Sequence, residues 1–159
     1  MLNVIKSLFF WVIVITLVSC GGKNESNPQK NNDSKSIKFN LTANDKMQFN
    51  LKSISANEGD FIVINLENIG KMSIETMGHN FILLKQNVDV AKFATKAMSA
   101  KKTEYIPMDE LDNIIVYSKL IGPGEKTLIE FEAPEKGVYT FLCSFPGHYI
   151  SMQGKLVVN

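Results

Sequence analysis

The sequence predicts an all-β domain built as a sandwich of short strands. Two features indicate this fold. Short apolar or alternating runs recur through roughly the last 120 residues, and turns such as Gly122-Pro123-Gly124 separate some of them. A segment of that length can form one compact domain but not two. We place this domain at residues 37–159, after two N-terminal segments of different composition.

Residues 1–19 are predicted to be a signal peptide. Lys6 precedes an apolar run, residues 8–18, which has the length of a signal-peptide core and is short for a transmembrane helix. The run leads into Ser19-Cys20-Gly21, and this junction resembles the bacterial lipoprotein box. The resemblance implies cleavage before Cys20 and a lipid on its thiol. An uncleaved anchor helix is the alternative, and either reading places the domain outside the cytoplasm, on the periplasmic side of a bacterial membrane.

Residues 20–36 are predicted to be a lipidated, flexible tether. After Cys20 this segment contains no apolar residue other than glycine and proline, so it cannot form a core. A coil of this length spans on the order of 20–25 Å on average. Attachment through several acyl chains would be stable, whereas attachment through one would be reversible.

Four strands are predicted within the domain. Residues 61–66 form a continuous apolar run, as expected for a buried sandwich strand. Residues 126–132 alternate more loosely, as in a strand with one outward face. Residues 138–143 and 154–158 are predicted to be the last two strands of the chain.

One segment departs from the β pattern. Asp89 is predicted to cap a helix that extends to Lys101 or Lys102. Its apolar face would consist of Val90, Phe93, Ala94, Ala97 and Met98. We interpret this helix as a cover for one side of the sandwich, with a contribution to partner choice as the alternative.

The residues with the clearest chemical meaning lie near the C-terminus. Cys143, His148 and Met152 place a thiol, an imidazole and a thioether at Cys-x4-His-x3-Met spacing, and His79 is the only other histidine of the chain. A thiolate, two imidazoles and a weak thioether are the ligand set of a blue-copper electron-transfer centre. Zinc is the alternative metal, but a structural zinc site more often recruits a Cys-x2-Cys pair, which this chain lacks.

The two ligand segments resemble those of the azurins. The resemblance is carried by residues 143–156 and 77–81, and by two further blocks at residues 44–49 and 119–126. It extends over nearly all of the domain. It implies a Greek-key cupredoxin barrel with one inserted helical flap, and one type 1 copper that cycles between Cu(I) and Cu(II).

The resemblance also implies roles for individual residues. His79, Cys143 and His148 would be the strong copper ligands, Met152 a weak axial ligand, and the Gly78 carbonyl a second weak contact opposite it. A glycine would allow the backbone to approach the metal closely.

Other residues would act around these ligands. Asn80 would tie the two ligand loops together, with a local turn as the alternative. The backbone N–H groups of Asn80 and Phe145 would point at the Cys143 sulfur and tend to raise the potential. His148 would project its ring edge through an apolar docking patch, whose members are Met47, Met77, Phe145 and Pro146.

One expected feature of the azurins is missing. They ordinarily carry a disulfide near the N-terminus, and the matching positions here are Ile37 and Asp60. With Cys20 lipidated, Cys143 would be the only free thiol, so no intrachain disulfide is possible. Stability would then depend on the core and on the bound metal.

The charges restrict the partners. The chain has 17 lysines, no arginine and 16 acidic residues, and only Lys6 precedes Cys20, which leaves 16 charges of each sign. Long-range steering should therefore be weak. The absence of arginine argues against bidentate phosphate binding and a nucleic-acid partner.

These observations predict a membrane-tethered carrier of single electrons, monomeric or in weak transient complexes. It would act between exported redox proteins such as cytochrome c or a copper or haem reductase or oxidase. The alternative is copper storage or delivery through the same ligands without redox turnover. An enzyme is disfavoured, since catalysis at a metal needs an open coordination position.

Overall fold

Two β-sheets account for most of the structure, a computed structural model that describes residues 35–159. The predicted signal peptide, the lipidation of Cys20 and nearly all of the predicted tether lie outside the described residues. Along residues 35–159, no helix is both long and apolar enough to cross a membrane.

The strands follow the predicted sandwich pattern. In chain order they are β1 (Ser36–Asn44), β2 (Gln48–Phe49), β3 (Ser53–Ala56), β4 (Phe61–Asn68), β5 (Ile82–Leu84), β6 (Ile114–Tyr117), β7 (Lys126–Glu132), β8 (Gly137–Leu142) and β9 (Gln153–Val158). One sheet has the order β2-β1-β4-β7 and the other the order β3-β9-β8-β5-β6. The β1–β4 and β3–β9 pairs are parallel and the remaining pairs antiparallel, as in a sandwich with long crossover connections.

Burial of β4 differs from the prediction of a wholly buried strand. Ile62, Ile64 and Leu66 are buried, whereas Phe61 is 44% exposed. Successive side chains of a strand point to opposite faces, and only one face of this sheet packs on the core. The side chains of the apolar run therefore alternate between the buried face of the sheet and its more exposed face.

The helical flap forms, but it is shorter than predicted. Helix α1 (Ile74–Met77) is a single turn, and helix α2 (Val90–Met98) is the flap helix. The Asp89 carboxylate accepts hydrogen bonds from the N–H groups of Ala91 and Lys92, both at 3.1 Å, so Asp89 is the N-cap. A separate 3₁₀ turn, Lys101–Thr103, follows the end of α2.

The buried face of α2 covers the five-stranded sheet. Phe93, Ala94 and Ala97 are buried, and Phe93 packs in a cluster with Ile82 of β5 and Leu142 of β8. Met98, predicted on the same face, is 44% exposed. The interpretation of α2 as a cover for one side of the sandwich agrees with this packing.

The start of β1 is fastened by a buried carboxylate. Asp60 is 4% exposed and accepts hydrogen bonds from the N–H groups of Lys35, at 3.2 Å, and Asn57, at 2.7 Å. Phe61 N–H in turn donates to the Lys35 carbonyl at 3.0 Å. From this end, β1 runs the length of the sheet to Asn44. Asp60, which matches one position of the azurin disulfide, is thus tied to the start of β1 by hydrogen bonds. We call these hydrogen bonds the Asp60 clamp.

Candidate metal centre

His79 is held by backbone pairing between two loops. It follows α1 and Gly78, and its N–H donates to the Ile121 carbonyl at 3.1 Å, while Ile121 N–H donates back at 2.8 Å. This isolated bridge fixes the backbone of His79 independently of its side chain. The side chain is completely buried.

The second ligand loop, residues 143–152, is closed by backbone hydrogen bonds between its own residues. His148 N–H donates to the Phe145 carbonyl at 3.0 Å across Pro146 and Gly147, and Gly147 has a φ of 81°. Proline followed by a residue with positive φ is the signature of a type II turn. Met152 N–H then donates to the His148 carbonyl at 2.8 Å, and Cys143 N–H to the Met152 carbonyl at 3.0 Å.

Three of the predicted ligands converge in one buried pocket. The Sγ atom of Cys143 lies 3.9 Å from Nδ1 of His79 and 3.6 Å from Nδ1 of His148. The ligand atoms of all three residues lie within 4.8 Å of one another. Three atoms bound to one metal at about 2.0–2.3 Å in a trigonal arrangement would be separated by about 3.5–4 Å. The spacing therefore fits a single metal ion.

Burial favours the neutral form of each of these groups. It lowers the pKa of His79 to about 4, against weaker opposing effects of the Asn44 backbone and the Asp45 charge. It likewise lowers the pKa of His148 to about 4, helped by the nearby His79. Both imidazoles are thus free of the extra proton near neutral pH, as a metal ligand must be.

Burial also favours the neutral form of Cys143, but a cysteine must lose its proton to bind a metal. Burial raises its pKa to about 12, partly offset by the backbone N–H groups of Asn80 and Phe145, which point at the sulfur. A thiolate is therefore costly in this pocket unless a cation lies beside it. A buried thiolate that needs a neighbouring cation, together with two neutral imidazoles, fits a site for a metal ion that binds thiolate.

The surroundings of the His79 ring fit metal binding through Nδ1. Its Nε2 is buried and makes no hydrogen bond of ordinary geometry with the described residues, although the Asn44 backbone faces it. Since Nδ1 points toward Cys143, metal binding at Nδ1 would leave the proton on Nε2.

Gly78 directly precedes His79 in the chain, and Met152 is the last residue of the second ligand loop. Met152 is completely buried. A Cβ atom on Gly78 would lie 2.6 Å from the Ile74 carbonyl and 3.0 Å from the Leu120 side chain. Packing of α1 and Leu120 thus requires glycine at this position, a reason that the sequence did not reveal.

Asn80 and Ser144 join the two ligand loops. The Asn80 Oδ1 accepts from Ser144 N–H at 2.9 Å, and its Nδ2 donates to Ser144 Oγ at 2.9 Å and to the Glu104 carbonyl at 3.1 Å. Ser144 Oγ donates to the Tyr105 carbonyl at 2.7 Å. The local-turn alternative for Asn80 is not what the structure contains.

Ser144, Glu104 and Tyr105 are residues that the sequence reasoning missed. Glu104 and Tyr105 have φ values of 55° and 64°, a left-handed pair that redirects the chain after the 3₁₀ turn. Neither is glycine, and asparagine and aspartate are the types enriched there. No sequence signal marked this pair, which we call the strap because its carbonyls bind the side chains of Asn80 and Ser144 on the two ligand loops.

His148 and Phe145 are less exposed than the predicted docking patch requires. His148 is only 2% exposed and Phe145 only 7%, so the imidazole does not project. The Phe145 ring covers it at a centroid distance of 4.6 Å. The other predicted members, Met47, Met77 and Pro146, are half-buried. Ile150, which was not predicted, is 72% exposed in the neighbouring 3₁₀ turn His148–Ile150.

Comparisons with known proteins agree with this geometry. The profile of the family described as "Copper binding proteins, plastocyanin/azurin family" matches residues 35–159. Azurin of Pseudomonas chlororaphis is 35% identical over 128 residues, covering 77% of this chain and 98% of that protein. Auracyanin-A of Chloroflexus aurantiacus is 32% identical over 152 residues, covering 92% of this chain and 91% of that protein.

Solved structures give the same result. Auracyanin A, described as a "blue" copper protein from Chloroflexus aurantiacus, superposes with a TM-score of 0.71 at 31% identity, covering 78% of this chain and 99% of that one. An azurin from Methylomonas sp. strain J superposes with a TM-score of 0.69 at 30% identity, covering 77% of this chain and 97% of that one.

Proposed function

Because this chain belongs to the plastocyanin/azurin family of copper-binding proteins, we propose that His79, Cys143 and His148 hold its one copper ion. The chain is a blue-copper electron-transfer protein rather than an enzyme. Copper in such a site supplies one-electron chemistry. The observation that carries the assignment is the convergence of three buried donor atoms within 4.8 Å.

Met152 and Gly78 would complete the ligand set as weak contacts, Met152 through its thioether and Gly78 through its carbonyl. Their place on the two backbone-paired ligand loops supports these roles. Backbone hydrogen bonds hold the loops whether or not a ligand side chain is engaged. A framework of this kind resists rearrangement, and small rearrangement is what fast electron transfer requires.

The surroundings of Cys143 tune the thiolate. The N–H groups of Asn80 and Phe145 withdraw charge from the sulfur, which favours the reduced state of the site. Asn80 also fixes the distance between the loops through Ser144. Its role is therefore both electrostatic and positional.

Electrons enter and leave through the surface around His148. The docking patch of Met47, Met77, Phe145 and Pro146 is apolar, and methionine-containing surfaces adapt to more than one partner. The exposed Ile150 extends this surface. Partners are redox proteins that present a complementary apolar face, met in short-lived complexes by a monomeric carrier.

The chain is exported and tethered through a lipid on Cys20. Support comes from the Lys6 charge, the apolar run and the Ser19-Cys20-Gly21 junction. The similarity to auracyanin-A covers more of the chain than residues 35–159 alone, so it includes part of the N-terminal segment. Residues 20–36 then give the domain reach to its partners.

The first test is an optical spectrum of the purified protein loaded with Cu(II), before and after mild reduction. We expect an intense visible band from thiolate-to-copper charge transfer that bleaches on reduction and returns on oxidation. A protein that binds copper stoichiometrically without this band would indicate storage or delivery and refute the carrier function. Replacing Cys20 with Ala and fractionating the cells tests the tether, and unchanged membrane attachment would favour the uncleaved helix.

A further inference from the structure

Lys52 occupies an unusual place beside the second ligand loop. It lies in the connection between β2 and β3, and its carbonyl accepts a hydrogen bond from Lys155 N–H at 2.9 Å. A Cβ atom on Gly154 would lie 2.8 Å from that carbonyl. The absence of a side chain at Gly154 thus lets the backbone of Lys52 approach the beginning of β9.

From this position the side chain of Lys52 reaches the loop limb that leads into β9. Its Nζ donates to the Ser151 carbonyl at 2.6 Å and lies 3.5 Å from the Gln153 carbonyl. These two carbonyls flank Met152, the proposed axial ligand. The ammonium group therefore bridges the backbone on both sides of that residue.

Met152 also connects the other ligands through its own backbone. Its N–H donates to the His148 carbonyl and its carbonyl accepts from Cys143 N–H. A shift of the limb would consequently disturb both of these hydrogen bonds. Ser151 Oγ adds a second cross-link to the same limb, since it donates to the Met47 carbonyl at 2.9 Å.

We propose that Lys52 is a positioning residue of the metal centre, which fixes the limb carrying Met152 and adds a positive charge that favours the reduced protein. This proposal rests on the proposed function for its redox part and on the hydrogen bonds alone for its positional part. Reduction adds one electron and no proton, so a nearby cation stabilises the reduced site relative to the oxidised one. The ammonium is exposed, so the charge effect is screened by salt.

The experiment compares Lys52→Met, Lys52→Arg and Lys155→Met in the purified protein. Methionine keeps an unbranched, flexible chain but removes the charge and the donor, whereas arginine keeps both. Lys155 is the matched control, because its Nζ donates to Thr140 Oγ1 at 2.8 Å and not to the ligand loop. Two quantities are measured: amide hydrogen exchange in the metal-free protein, and the electron-exchange equilibrium of the copper-loaded protein with a soluble iron-complex redox couple, at low and high salt.

We expect Lys52→Met to accelerate exchange of the Cys143 and Met152 amides roughly three- to ten-fold, as for loss of one exposed charge-assisted hydrogen bond. The same variant should shift the redox equilibrium toward the oxidised protein about three-fold at low salt, and less at high salt. Lys52→Arg should restore both, and Lys155→Met should change neither.

Two results would overturn the proposal. Amide exchange in Lys52→Met equal to that in Lys155→Met would remove the positional role without any reference to copper. A redox equilibrium that is unchanged, or equally shifted at both salt concentrations, would remove the charge effect. Failure of the proposed function is distinguishable from either, because it would appear as a missing visible band in the unaltered protein.

Discussion

Removing the hydroxyl of Ser144 tests the idea that the strap and the two ligand loops form one hydrogen-bonded unit. Ser144→Ala deletes the donor to the Tyr105 carbonyl, at 2.7 Å, and the acceptor for Asn80 Nδ2, at 2.9 Å. The backbone bond from Ser144 N–H to Asn80 Oδ1 remains. Ser144 is 1% exposed and Asn80 is completely buried, so water cannot readily replace the lost partner.

The expected loss of stability follows from the hydrogen bonds that each partner of Ser144 keeps. The Tyr105 carbonyl loses a short hydrogen bond, and leaving a buried group without its partner costs about 1–3 kcal/mol. Asn80 Nδ2 keeps its bond to the Glu104 carbonyl, so its loss is smaller, about 0.5–1 kcal/mol. We expect the free energy of unfolding to fall by about 1.5–4 kcal/mol in total. Ser144→Thr keeps the hydroxyl and should lose much less.

The assay is urea unfolding of the metal-free protein, followed by far-UV circular dichroism, so that copper affinity does not enter. Ser73→Ala is the control, because the Ser73 hydroxyl is exposed and its contact with Thr76 is a long 3.4 Å. A loss below about 0.5 kcal/mol for Ser144→Ala, equal to that of Ser73→Ala, would refute the reasoning. The strap would then rest on the surface without contributing to the stability of the ligand loops.

Three further predictions use other features of the structure. Cys143→Ser should abolish the intense visible band of the copper-loaded protein while far-UV circular dichroism stays unchanged, and a persisting band would show that another group supplies the charge transfer. Asp60→Ala should lower the free energy of unfolding by about 1–3 kcal/mol in urea, because two backbone donors lose a buried acceptor, whereas Glu130→Ala on an exposed strand position should not. Gly147→Ala should lower the free energy of unfolding by about 1–2 kcal/mol in the same assay, because a φ of 81° is strained for alanine, although no atom lies within 4 Å of the added Cβ. An unchanged urea midpoint would mean that the turn tolerates alanine.

Much of the fold was predictable because the sequence carries local signals for it. Residues 126–132 form β7 with the bounds that their alternation predicts, and Asp89 caps α2 as a side chain of its type does. The end of α2 was not predictable. After α2 the chain turns at the left-handed pair Glu104 and Tyr105, whose carbonyls accept hydrogen bonds from the distant residues Asn80 and Ser144.

The candidate site was likewise predictable only in part from the sequence. The spacing of Cys143, His148 and Met152 on one loop is visible in the sequence, and so is the rarity of histidine. The bonding of Asn80 to Ser144 depends on how two loops approach each other, which no local pattern encodes. The low exposure of His148 also results from tertiary packing, since the Phe145 ring covers it.

The directions of β1 and β9 separate the metal pocket from the opposite end of the domain. Strand β1 travels about 26 Å from the Asp60 clamp to Asn44, whose backbone faces His79. Strand β9 returns from the ligand loop, and Asn159 hydrogen-bonds to Ala56 and Glu58 beside that clamp. The start of β1 at Ser36 and the C-terminal Asn159 therefore both lie far from the metal pocket. A protein immobilised on an electrode through Asn159 would hold its copper on the side that faces the solution, where it can exchange electrons with dissolved partners more readily than with the electrode.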